Sequence, residues 1–192
     1  MAGHQDDLLG GASQPLHRLF FALLPSAAER AQAAAVATGL RASHPRTRWV
    51  SPERYHLTLH YLGESSGPRP DWISRAREAA DGFVGETFHL QLDHLQPLGN
   101  PRRPALTLAA SSSSAELIRF WRGLQERLIR AGFKDHVGRS FIPHLTLGYS
   151  DPQPATPTVA SVGVEPDGFV LIQSIEGQAD YTFLGDWRLG TD

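Results

Sequence analysis

Apolar and polar residues alternate most cleanly in two short stretches, Tyr55 to Leu62 and Phe141 to Tyr149, and both patterns predict β-strands. Each stretch contains the same four residues, His56-Leu57-Thr58-Leu59 and His144-Leu145-Thr146-Leu147. Successive side chains on a strand point to opposite faces, so the His and Thr of each copy share one face and the two Leu share the other. An apolar strand is expected over Leu19 to Leu24, followed by Ser26-Ala-Ala-Glu29 and an alanine-rich helix to about Arg41. A second apolar strand, Ala105 to Ala109, precedes Ser113-Ser-Ala-Glu116 and a helix to about Ala131. Both Ser-x-x-Glu runs carry the capping-box signature, in which the Ser accepts from a first-turn N–H and the Glu reaches back to the cap. Leu117, Phe120, Trp121, Leu124, Leu128 and Ile129 recur at helical spacing and are expected in the core.

Strand, capped helix and His-x-Thr strand thus occur twice, which predicts a duplicated, pseudo-symmetric molecule. The remaining chain reads as a helix over Asp71 to Phe83, a strand over Phe88 to Leu95, and loops at Gly63 to Pro70, Gly99 to Pro104 and Pro152 to Pro157. It closes with strands over Phe169 to Ile175 and Tyr181 to Leu189. Several strands are separated by segments too short for crossover helices, so the expected class is α+β with antiparallel sheets.

Composition narrows the functional classes. A chain of 192 residues, 41% hydrophobic, supports one good core or two small lobes sharing one. No apolar run approaches membrane-spanning length. Residues 1–16 read as a disordered tail without signal-peptide features, and 17–192 as a single bilobal domain. The chain has no cysteine, which excludes a disulfide framework, a thiolate nucleophile and a Cys-based zinc site and fits a cytoplasmic protein. A net charge of −2 argues against a broadly basic nucleic-acid coat, so any such substrate must be gripped locally.

Two imidazole–hydroxyl pairs facing one another suit the cleavage of a phosphodiester. Imidazole has an ordinary pKa of about 6.5 and can serve as acid or base near neutrality. Thr58 and Thr146 can donate to non-bridging phosphate oxygens. Either histidine alone reads better as an ordinary half-buried strand residue; the matched pair does not. His60 follows His56 by four residues, a zinc-ligand spacing only on a helix. On a strand it is expected on the same face as His56, at the cleft rim, and no metal site is predicted. Arg139 and Arg102, with its neighbour Arg103, are candidate phosphate contacts. Phe20, Trp49 and Tyr149 are candidates for stacking a base.

The ordered blocks resemble the 2H phosphoesterase superfamily, and within it the RNA 2',3'-cyclic phosphodiesterases historically called 2'-5' RNA ligases. Arg18 to Pro25 is similar to that family's opening strand, Arg48 to Glu64 to its first motif block, Asn100 to Pro104 to its central loop, and Phe141 to Leu147 to its second block. Two positions depart from the pattern: Ile142 stands where members often carry Arg, and Gly148-Tyr149-Ser150 where another Arg often follows the motif. The resemblance implies a bilobal fold, two antiparallel sheets lining a central cleft with helices outside. It further implies metal-independent opening of a 2',3'-cyclic phosphate to a 2'-phosphomonoester, with no cofactor, with RNA ends or small cyclic nucleotides as substrates, and with no protein partner. His56 is expected as proton donor and His144 as proton acceptor. A ligase acting at the same site and a non-catalytic nucleotide-binding module remain as alternatives.

Overall fold

A computed structural model of the protein describes residues 14–138, 140–151 and 157–190. The architecture is α+β, as expected. One four-stranded antiparallel sheet has the order β10-β9-β1-β3, formed by β1 (His17–Leu23), β3 (Leu57–Ser65), β9 (Gly168–Ile175) and β10 (Thr182–Arg188). A second has the order β2-β7-β6-β5, from β2 (Arg48–Trp49), β5 (His94–Leu98), β6 (Ala105–Ala109) and β7 (His144–Tyr149). A short antiparallel pair joins β4 (Leu90–Leu92) to β8 (Val162–Val164). The helices are α1 (Ala27–Leu40), α2 (Pro70–Ala80) and α3 (Ala115–Leu128), the last running into a π-turn, Ile129–Phe133.

The expected repeat is visible in the ladders. β1 and β3 flank α1 and pair antiparallel; β6 and β7 flank α3 and pair antiparallel. The helices, however, are exchanged. α3 from the second repeat covers the first sheet: the Trp121 indole N–H donates to Leu59 O at 2.9 Å and Phe120 packs edge-on against Phe169. α1 from the first repeat lies by β7 and β8, where Glu165 N donates to the Glu29 carboxylate at 2.8 Å. The main core fills the space between sheets and helices, drawing Leu19, Phe21 and Leu23 from β1 and Leu106 and Leu108 from β6.

Several expectations are corrected. Ser26 and Glu29 form the capping box as predicted. In the second repeat the cap is Ser114, accepting from Leu117 N at 3.2 Å, and not Ser113. The serine run offers several equivalent oxygens, and capping one residue later places Glu116 at the second helical position, where a carboxylate still favours the positive end of the helix dipole. Ile129 lies on the π-turn and is exposed rather than core. The strand expected over Phe88 to Leu95 is two: β4 and β5 belong to different sheets, parting at Asp93, whose carboxylate accepts from Ser111 N and Oγ. The tail expected at 1–16 falls mostly outside the described residues, but Leu16 O already accepts from Glu176 N at 2.8 Å. Residues 152–156 of the predicted proline loop also lie outside them.

Candidate active site

The two motif histidines are held in the same way. His56 Nδ1 lies 2.8 Å from Arg54 O, and His144 Nδ1 lies 2.7 Å from Ile142 O, each partner being the carbonyl two residues earlier. A carbonyl only accepts, so Nδ1 carries the proton in both rings, and Nε2 becomes the working nitrogen. Neither Nε2 has a hydrogen-bond partner among the described residues. β3 and β7 approach one another across the two sheets, and the two rings are near enough that positive charge on His144 disfavours charge on His56. Burial is the larger influence: it pushes the His56 pKa below the ordinary imidazole value, against a smaller opposing effect of the Arg54 carbonyl.

The surroundings of His56 explain that burial. The cleft face of the first sheet carries a small apolar cluster, Phe20, Ala22, Val170 and Ile172, separate from the main core, with Tyr181 packed on it. The Phe20 ring lies 5.1 Å from the His56 ring, and the Tyr181 ring meets it edge-on at 5.5 Å. The Arg54 guanidinium sits over Tyr181 at 4.4 Å and donates to Gln178 O and Ser174 Oγ, which fixes the segment leading into the motif. Thr58 and Thr146 are half-buried, and neither hydroxyl has a partner among the described residues. Thr146 stands opposite Thr107, whose own hydroxyl is taken up by Gln96 O.

Strict alternation fails just beyond each motif. In the β1–β3 ladder Phe21 pairs with His60 but Ala22 with Thr58, so Leu59 is the extra residue of a β-bulge. In the β6–β7 ladder Leu106 pairs with Gly148 and Thr107 with Thr146, so Leu147 is the extra residue at the same place in the repeat. The bulge overturns the expectation for His60. That side chain turns to the core face, 1% exposed, stacked 5.0 Å from Trp121 with Nε2 donating to Trp121 O at 3.0 Å. The same reset brings Tyr61 and Tyr149, each five residues after a motif histidine, back to the cleft face.

The other candidates separate. Tyr149 borders the cleft. Phe20 is 6% exposed and packs His56, so its ring offers no free face to a base. Trp49 pairs with Gly148 and packs against the main core, away from the cleft. Arg102 is exposed in the β5–β6 turn, its N–H bonded to Asn100 Oδ1, with no contact to either motif among the described residues. Arg139 lies outside the described residues. The sequence reading missed Arg54, Tyr181, Tyr61 and Arg48. Only the tyrosines left a trace, a Tyr at the same offset in both copies, and simple alternation assigns that offset to the wrong face. Among the described residues no three His, Asp or Glu cluster as metal ligands, and no helix is long and apolar enough to cross a membrane.

Similar proteins carry the same assembly. The chain is 27% identical over 99 residues to the RNA 2',3'-cyclic phosphodiesterase of Archaeoglobus fulgidus, a match spanning 52% of this chain and 53% of that protein, about half of the relative's length. The crystal structure of E. coli LigT in apo form superposes with a TM-score of 0.71 at 27% identity, covering 93% of this chain and 100% of that one. LigT complexed with 3'-AMP gives 0.69 at 26% identity, with the same coverage. The family model of the 2'-5' RNA ligase superfamily matches residues 24–168. The chain therefore belongs to the 2'-5' RNA ligase superfamily, within the 2H phosphoesterases that its paired His-x-Thr motifs resemble.

Proposed function

We propose that the protein hydrolyses 2',3'-cyclic phosphates of RNA ends or nucleotides to 2'-phosphomonoesters. The observation that carries this reading is the matched pair of imidazoles. Each is locked with Nδ1–H on its own backbone and Nε2 unpartnered, beside a threonine hydroxyl with no protein partner. Neutral His144 Nε2 takes a proton from water as its oxygen bonds to phosphorus. The P–O3' bond breaks, and protonated His56 gives its proton to the departing O3'. Thr58 and Thr146 donate to the non-bridging oxygens, where negative charge accumulates. The two rings finish with exchanged protonation, which solvent restores. Product analysis tests this: a cyclic-ended oligonucleotide should yield a 2'-phosphate. A 3'-phosphate, no turnover, or joining in preference to opening would refute it.

The reaction needs one proton shared between two rings, so kcat/KM should be bell-shaped in pH. Burial depresses His56, so its titration sets the acid limb below the ordinary imidazole value of about 6.5. This limb is the same whichever ring is the donor. An acid limb at or above the ordinary value would contradict the burial argument.

Turnover is expected to persist in EDTA, since the donor set consists of two neutral-capable imidazoles and two hydroxyls without a carboxylate cluster. Loss of activity on chelation, with rescue by zinc or manganese, would replace proton transfer by a metal-bound nucleophile.

A further inference from the structure

We infer that Arg48, held in place by Tyr149, forms a subsite for the phosphodiester immediately 5' to the cyclic phosphate, making cyclic-ended oligonucleotides better substrates than cyclic mononucleotides. The inference rests on the hydrolysis reading above and extends it to the class of substrate.

The placement follows from register. Arg48 on β2 pairs with Tyr149, and Tyr149 pairs with Ala105, so the three side chains share a face of the second sheet. The bulge at Leu147 makes that face the one bearing Thr146, while Trp49, Leu145 and Leu147 pack on the other. The guanidinium lies over the Tyr149 ring at 5.1 Å. Arg48 is exposed and has no hydrogen bond or carboxylate partner among the described residues. β2 is held tightly against the bulge. A Cβ at Gly148 would stand 2.7 Å from Thr47 Cγ2 and 3.0 Å from Arg48 O, and Val50 N donates to Leu147 O at 2.9 Å.

The pseudo-symmetric position in the first repeat shows why the second is favoured. There Tyr61 occupies the equivalent offset, and the neighbouring cation is Arg18. Its Nε is 3.1 Å from the Glu64 carboxylate, which also accepts from the Tyr61 hydroxyl. Arg54, the other arginine at that cleft, is committed to Tyr181, Gln178 O and Ser174. Of these three arginines, Arg48 alone has its charge uncompensated. It sits three residues beyond Thr146, roughly 10 Å along an extended strand. A 2',3'-cyclic phosphate closes the 3' end, so the polymer continues only through the 5' oxygen. A cation at that distance from the reacting phosphate therefore meets the 5' linkage, for which a guanidinium fork is well suited.

The test compares a 2',3'-cyclic mononucleotide with a cyclic-ended dinucleotide, and with the same dinucleotide carrying an uncharged methylphosphonate linkage. Wild type should favour the charged dinucleotide. Arg48→Ala should lower its kcat/KM by about 10-fold or more, the scale of a lost charge-assisted hydrogen bond, with mononucleotide turnover unchanged. The negative slope of log kcat/KM against log salt should shrink by about 0.7, one phosphate contact on a single strand. The methylphosphonate substrate should be slow on wild type and no slower on Arg48→Ala. Tyr149→Phe should keep the dinucleotide preference and Tyr149→Leu should reduce it, as expected of a positioning ring. Equal loss on both substrates, or none on the dinucleotide, overturns the subsite. If wild type turns over neither substrate, the hydrolysis reading fails. Equilibrium binding of 2'-phosphate-ended mono- and dinucleotides to wild type and Arg48→Ala then decides the subsite alone, equal affinities overturning it.

Discussion

Alanine at His56 or at His144 is expected to lower turnover of a 2',3'-cyclic nucleotide by roughly 10²–10⁴-fold each, the usual contribution of one placed proton transfer. Neither ring is part of the main core, and each is fixed by one bond to a nearby carbonyl, so the fold should survive both changes. Because the two rings act as a unit, the double variant should be little worse than either single one. Thr58→Ala and Thr146→Ala should be milder, each removing a donor and not a proton carrier. The roles follow from a leaving-group series. A good leaving group needs no acid, so an activated phosphodiester should rescue the variant lacking the donor, proposed as His56, more than the variant lacking the base. The opposite pattern of rescue would exchange the roles. A single-histidine variant with near wild-type turnover would end the paired acid–base mechanism.

Acidification from neutrality to about pH 4 should remove about 3 kcal/mol of folding stability through His60 alone. This ring is buried against Trp121; burial holds its pKa down to about 4, outweighing the Trp121 carbonyl that favours the charged form. Its Nδ1 has no partner, so a proton there would be a buried, unpaired donor. The folded state resists protonation while the unfolded chain binds a proton from its ordinary value downward. The contribution is therefore complete above about pH 6.5 and is lost progressively as pH falls towards the folded pKa. Denaturant midpoints of wild type and His60→Gln across this range measure it, since the amide can still donate to Trp121 O but does not titrate. His56 is also depressed and acts in the same window, so the difference between the two proteins carries the result. Parallel pH dependences would show that His60 does not titrate with folding.

The sequence made the motif faces legible because His56, Thr58, His144 and Thr146 precede any irregularity, and there period-two reasoning holds. The helix starts were legible from Ser26 and, with a one-residue error, from the serine run before α3. What lies after the motifs was not. A single extra residue at Leu59 and at Leu147 reverses the facing of everything beyond, sending His60 into the core and returning Tyr61 and Tyr149 to the cleft. Nothing in local composition marks those bulges, which are set by the neighbouring strands. Trp49 and Phe20 read as platforms because aromatic identity says nothing about the face it occupies. Arg48 and Arg54 were invisible because their meaning depends on cross-strand partners far away in the chain. The division of Phe88 to Leu95 between two sheets likewise depends on β6 and β8.

The crossing of helices between repeats bears on how such a chain could have arisen. Each repeat supplies the strands of one sheet and the helix that seals the other. A half-length ancestor would have left its sheet uncovered and its helix without a seat, so it could have folded only as a symmetric pair with arms exchanged. Fusing the two copies would have tied that dimer into one chain and freed the copies to diverge, one keeping Arg18 neutralised by Glu64 and the other leaving Arg48 open to the cleft.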